Sequence, residues 1–297
     1  MARSLKDQAF AVIRSRSQIS RSGGMKKVPG NYKPIKSIRS LRETSYALSR
    51  IATNLGVSRI KKITEAQAVN YLEQRKQNFT SQKSLDLDRK ALSLALSIDI
   101  PRIRAISDTV LEGRSYSNTE LIHVTNSMNE KNALSVRIAH DAGLRAHELL
   151  TLKRIDEGEK SSKRTWTNDR FFGQKDQVRY LVTGKGGLVR EVSIRKDLSL
   201  QLENRRLESP KTTTDRGVRY EQRYDIAGGN ALSASFTRAS QRALGYSHGF
   251  HGVRHSYAQQ RVDQLKAYDG INHTRARDIV AQELGHFRGD ITEVYLR

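Results

Sequence analysis

From about residue 37, Leu41, Leu48, Ile51 and Leu55 recur at helical spacing, and Gly56 stands where such a helix would stop. A second helix is predicted from Thr64, whose hydroxyl can cap it while Gln67, three residues on, reaches back to the cap. Leu85, Leu92, Leu94 and Leu96 mark a third apolar segment, with Pro101 and Gly113 punctuating its exit. The pattern predicts a small helical domain over 37–115, followed by a larger domain over 117–297 that reads as helices interrupted by one hairpin. In the latter, residues 130–142 form a helix that Gly143 can end. Val178, Tyr180 and Val182 alternate with polar residues, as do Val192 and Ile194, and Gly184-Lys185-Gly186-Gly187 lies between them, so Lys185 falls at a hairpin tip. After a polar stretch containing Gly228-Gly229, residues 252–267 and 275–284 read as two more helices, the second ended by Gly285. The expected fold class is α+β, mainly α with a small β-sheet.

Charge adds a partner to this picture. Lys and Arg number 53 against 31 acids, a net +22 over 297 residues, which is the electrostatic footprint of a protein that handles a polyanion, nucleic acid first. Ten basic residues fall in the first 40 against Asp7 alone; with the Ser22-Gly23-Gly24 break, Pro29 and Pro34 they describe a basic N-terminal arm over 1–36. The absence of cysteine excludes disulfides, thiolate metal sites and cysteine nucleophiles. No apolar run approaches the roughly 20 residues of a spanning helix, and no signal-peptide stretch opens the chain, so no membrane partner and a cytoplasmic location are expected.

The candidate chemistry lies in the larger domain. Gly143-Leu144-Arg145-Ala146-His147-Glu148-Leu149 comes first, then Lys185 in its Gly-rich hairpin, then His251-Gly252-Val253-Arg254-His255-Ser256-Tyr257, then Leu284-Gly285-His286, and last Tyr295. A lone His-x-x-Arg is weak and Gly-Leu-Arg-x-x-Glu-Leu moderately informative; in this order, with a nine-residue step from His286 to Tyr295, the motifs resemble the tyrosine recombinase (phage integrase) family. The resemblance covers roughly 117 to the end. Before that it is loose, resting on a helical domain of the right size in the right place.

The residue types suit the reaction the resemblance implies. Cleaving a phosphodiester builds negative charge on its non-bridging oxygens, and two guanidiniums can clamp them bidentately as lysine cannot, which makes Arg145 and Arg254 the candidate clamp. A phenol with an ordinary pKa of about 10 is a poor nucleophile at neutral pH until a base or positive charge assists it. His251 stands three residues before Arg254, on the same helix face, as candidate base or phosphate donor. By resemblance Tyr295 is the nucleophile, His286 donates a hydrogen bond to the phosphate, Lys185 protonates the leaving 5′-oxygen, and Glu148 orients the site from behind the first arginine. His248, His251 and His255 could also gather to bind zinc, but no cysteine or nearby acid accompanies them and zinc would leave both arginines unexplained. Neither a metal nor any other cofactor is expected.

The resemblance further implies a core-binding (SAM-like) helical domain and a catalytic domain that form a C-shaped clamp on DNA. It implies a site-specific recombinase or integrase of a mobile genetic element, bacterial or phage-encoded and nucleoid-associated, working through a 3′-phosphotyrosyl intermediate and a Holliday junction. The partners would be double-stranded recombination sites and a homo-tetramer with a dimer on each site, with room for an accessory DNA-bending protein. The alternatives are a type IB topoisomerase-like swivelase, or a non-catalytic DNA-binding protein of the same fold. Two departures stand out. The 31 residues between Arg254 and His286 are about ten more than the resemblance leads one to expect, the excess falling around Tyr268 to Arg277. Only Leu296 and Arg297 follow Tyr295, where a segment that docks on a neighbouring protomer is expected.

Overall fold

The computed structural model describes residues 3–19, 26–30, 32–77, 81–106 and 112–296. The chain divides into two compact units, Met1–Val110 and Leu111–Arg297. The first is helical: α1 (Leu5–Arg14), α2 (Ile38–Asn54), α3 (Glu65–Gln77) and α4 (Gln82–Leu96). Ser4, Ser37 and Ser81 cap α1, α2 and α4 by accepting backbone N–H groups of the first turn. The Thr64 and Gln67 pair closes on itself, Gln67 N donating to Thr64 Oγ1 at 3.2 Å and Thr64 N to Gln67 Oε1 at 3.0 Å. Leu48, Ile51, Leu72, Leu85 and Leu92 fill the core between these helices. Part of the basic stretch over 1–36 is helical. Its residues 5–14 are α1, whose Ala9 and Ile13 are fully buried in that same core, so the helical spacing of apolar residues there outweighs the run of charge. The Ser22-Gly23-Gly24 break lies outside the described residues.

The second unit opens with α5 (Asn118–Asn126) and α6 (Glu130–Asp141). A three-stranded antiparallel sheet follows in the order β1 (Lys153–Arg154), β2 (Gln177–Thr183), β3 (Val189–Arg195). Thr183 pairs with Val189, and the reversal between them needs Gly186 and Gly187 at φ +79° and +81°, in the left-handed region that a side chain disfavours. α7 (Lys196–Glu203) leads to a second hairpin, β4 (Arg206–Asp215) with β5 (Val218–Tyr224), then α8 (Gly229–Leu244), α9 (His251–Lys266), α10 (His273–Glu283) and the short α11 (Gly289–Thr292).

A single hairpin is what the apolar pattern predicts, and the second corrects it. β4 is exposed along most of its length and carries Lys and Thr rather than alternating apolar residues, so its pairing leaves no period-two signature. Its one local signal is the two-residue turn Arg216-Gly217, both at positive φ. The polar stretch from Tyr268 to Arg277 forms the α9–α10 turn and the start of α10, and the Tyr268 ring packs on Phe172, centroids 5.1 Å apart. No helix among the described residues is long and apolar enough to cross a membrane.

Candidate active site

α6 ends beside a left-handed Gly143 (φ +61°), which turns the chain so that Leu144 is buried and Arg145 leads into a tight 3-10 turn, Glu148–Thr151. Glu148 is completely buried and accepts four hydrogen bonds. Arg145 supplies its backbone N at 2.8 Å and Nη1 at 2.9 Å, and Arg190 of β3 supplies Nη1 and Nη2, both at 2.9 Å. Arg254 of α9, also completely buried, stands 3.6 Å from the same carboxylate. Burial alone would raise the Glu148 pKa, but Arg190 first and Arg254 next hold it well below the carboxylate range.

The carbonyls at the end of α10 complete the support. Arg190 Nε donates to Glu283 O at 3.0 Å and Arg254 Nη2 to Leu284 O at 2.6 Å, while Arg254 Nη1 donates to Gly143 O. Three guanidiniums around one carboxylate leave two positive charges uncompensated. Burial, and after it the charge of Arg145, lowers the Arg254 pKa. A pocket in this state favours an anion.

His286 follows Leu284 and Gly285 past the end of α10 and brings Nε2 to 3.1 Å from Arg145 Nη2 and 3.3 Å from Arg254 Nη2. Both neighbours are obligate donors, so Nε2 accepts and the proton sits on Nδ1, which faces Thr292 Oγ1 at 3.5 Å. Burial, then the charges of Arg254 and Arg145, lowers the His286 pKa to about 3, keeping the ring neutral at pH 7. Tyr295 is buried at the end of a 3-10 turn, Glu293–Tyr295, with its ring among three imidazoles: His255 at 4.7 Å, His286 at 5.2 Å and His251 at 5.3 Å between centroids. The Arg254 guanidinium lies 5.6 Å from the same ring. Burial works against the Arg145 charge, but Glu148 and then Tyr295 more than offset it and raise its pKa. His251, at the start of α9, keeps part of its surface in solvent; crowding by protein atoms, then Arg254, lowers its pKa to about 4.

Arg145, Glu148, His251, Arg254, His286 and Tyr295 thus form one cluster. Lys185 is exposed at its hairpin tip and lines, with Arg145, Arg190 and His286, a cavity of about 190 Å³. A wider cleft of about 670 Å³ between α6, α8 and the β4–β5 hairpin holds none of these residues. Two further residues join this cluster without having been assigned a role from the sequence, Arg190 and His255. Arg190 is 1% exposed and carries the bidentate pair to Glu148; its signal is that it shares the inward face of β3 with Val192 and Ile194, where a lone arginine demands a buried acid. His255 is the ring nearest Tyr295. Among the described residues no group of three or more His, Asp or Glu is arranged to hold a metal ion.

A helical unit followed by an α+β unit of this topology is the fold of the tyrosine recombinases. The chain is similar to lambda integrase solved as a tetramer bound to a Holliday junction, at 16% identity and a TM-score of 0.58, over 99% of this chain and 76% of that one. A lambda integrase dimer bound to a COC' core site is similar at 16% identity and a TM-score of 0.57, over 99% of this chain and 76% of that one. The Tn1549 transposon integrase in complex with transposon right end DNA is similar at 13% identity and a TM-score of 0.54, over 99% of this chain and 95% of that one. No family model and no curated protein matches the chain.

Proposed function

We propose that the chain is a site-specific DNA recombinase that cuts and rejoins duplex DNA through Tyr295. The observation that carries this reading is the convergence of Arg145, Arg254 and the His286 Nε2 beside the buried Tyr295 ring, in a pocket with excess positive charge. A scissile phosphate entering between the two guanidiniums would displace His286 Nε2 as their acceptor. The added negative charge raises the basicity of the imidazole, so that it can take a proton and donate to a phosphate oxygen. The Tyr295 hydroxyl then attacks phosphorus. Its proton passes to a neutral imidazole, for which His251 is our assignment; a new bond forms between phosphorus and the Tyr295 oxygen while the P–O3′ bond stays intact, and the P–O5′ bond breaks with Lys185 protonating the leaving oxygen, which leaves a 3′-phosphotyrosyl ester.

The freed 5′-hydroxyl of a partner strand reverses the sequence on the new ester, so bond energy is conserved and neither metal nor nucleotide is consumed. Four protomers, a dimer on each of two sites, would exchange strands through a Holliday junction, as befits the element-borne integrases of the same fold. The net charge of +22 suits the polyanionic substrate. A swivelase that relaxes supercoils without joining two sites would use the same cluster.

A nicked duplex built from DNA flanking the gene tests the reading. A covalent protein–DNA adduct should form and vanish in Tyr295→Phe; no adduct on any such duplex would sink the proposal. Recombination of a plasmid bearing two sites, against relaxation of any supercoiled plasmid, separates recombinase from swivelase.

A further inference from the structure

We infer that residues 159–176, the connection from β1 to β2, form a strap that positions His286, with Trp166 as the residue that holds it in place. The inference rests on the recombinase reading for its consequence for rate, but not for its consequence for His286 itself. The strap is tied to the site at separate points. At the foot of the Lys185 hairpin, Ser161 N donates to Val189 O and Val189 N to Ser161 Oγ, both at 2.9 Å. At the last turn of α10, Thr167 N donates to Gln282 Oε1 at 2.9 Å and Phe171 N to Glu283 Oε1 at 3.0 Å. From α9, Arg261 Nη2 donates to Phe172 O at 2.7 Å.

Trp166 is the chain's one tryptophan and is fixed from several sides. Its Nε1 donates to Ser161 O at 3.0 Å, and the Arg170 guanidinium lies 4.4 Å from its ring while pairing with Glu191 at 2.7 Å. The indole also meets Phe287, centroids 4.6 Å apart, and the Arg164 guanidinium stands 5.2 Å from that same phenyl ring.

Phe287 is what makes this contact matter. It sits at φ +60°, a left-handed conformation that a residue with a Cβ adopts only when its surroundings hold it there. Together with Gly285 at φ +75° it reverses the chain around His286 and returns the imidazole to Arg145 and Arg254. The aromatic partner of Trp166 is Phe287. Trp166 acts on the residue next to His286, so it is a positioning residue.

The test uses the full chain in two assays. In the free protein, the His286 ring resonance, identified by its loss in His286→Gln, should stay neutral down to about pH 3 in the wild type. In Trp166→Ala its pKa should move up toward about 6.5 as the ring leaves the guanidiniums, and Trp166→Phe should keep the wild-type value. An unmoved His286 titration in a folded Trp166→Ala overturns the inference; if that variant does not fold, Trp166→Leu, which keeps apolar bulk without the aromatic face, is read in its place. On the nicked duplex at saturating protein, Trp166→Ala should slow single-turnover adduct formation by about tenfold to 10²-fold with DNA affinity unchanged. The same substitution in a His286→Ala background should add nothing, whereas an equal loss in both backgrounds refutes action through His286. A wild type that never forms adduct while His286 still shifts in Trp166→Ala would reject the recombinase reading and keep the strap.

Discussion

Replacing Glu148 by Gln keeps the volume of the buried carboxylate and removes its charge, so its effect isolates electrostatics from packing. The carboxylate accepts four N–H bonds at 2.8 to 2.9 Å and faces three guanidiniums. In the variant those guanidiniums have no counter-ion, and an amide N–H must point at a donor. Breaking a buried ion pair by removing one partner costs about 3–5 kcal/mol. For a unit of this size each kcal/mol moves Tm by about 2–4 °C, so a fall of about 6–20 °C is expected in thermal unfolding followed by circular dichroism at pH 7. Acid gives a second handle. The native Glu148 pKa lies below its unfolded value, so its stabilisation is fully present above the unfolded pKa of about 4.3 and is lost as pH falls through the lower native one. The gap between wild type and variant should therefore be constant near neutrality and narrow below pH 4. Sulfate should restore more of the lost stability in the variant than it adds to the wild type, because it supplies the missing anion. A Glu148→Gln protein that melts within about 2 °C of wild type at pH 7 would refute the reasoning, given the scale of ion-pair loss it rests on.

The remaining expectations concern the same unit. His140 and His255 have native pKa values lowered to about 4, and His286 to about 3, each by burial first. Their contribution is complete above about pH 6.5 and declines on acidification toward pH 4, by at most about 1.4 kcal/mol per pH unit for each ring; a melting temperature flat from pH 6.5 to 4.5 would contradict this. Gly143→Ala would place a Cβ 2.5 Å from the Tyr257 ring at φ +61°, costing about 1–3 kcal/mol in chemical denaturation. It should also slow adduct formation, since Gly143 O accepts from Arg254. Lys185→Ala should slow cleavage by about 10²-fold to 10⁴-fold with little change in DNA affinity. A substrate with a bridging 5′-sulfur, whose thiolate leaves without a proton, should recover the rate; failure to recover it would remove Lys185 from the role of acid.

What the chain discloses before folding, and what it withholds, follows from how each residue is recognised. Arg145, Arg254, His286 and Tyr295 stand out because phosphate chemistry needs those residue types and their order along the chain repeats a known pattern. The cap at Thr64 and the hairpin at Gly184–Gly187 are legible for a different reason: both are local, made by residues a few positions apart. The β4–β5 hairpin escapes because an exposed strand has no apolar face to alternate, and α1 escapes because its basic residues hide the spacing of Ala9 and Ile13. Arg190, Trp166 and Phe287 escape for a deeper reason. Their meaning lies in a partner 42 residues away for Arg190, and for Trp166 in a ring that only the turn after α10 brings close. Even so, the inward face of β3 carried a usable clue. An arginine that shares one side of a strand with Val192 and Ile194 cannot be left without a counter-charge once that side is covered. Glu148 is the acid of the neighbouring motif, and it lies within reach of Arg145 and Arg254 as well. Strand alternation and charge balance thus call for a buried acid facing Arg190, and Glu148 supplies it.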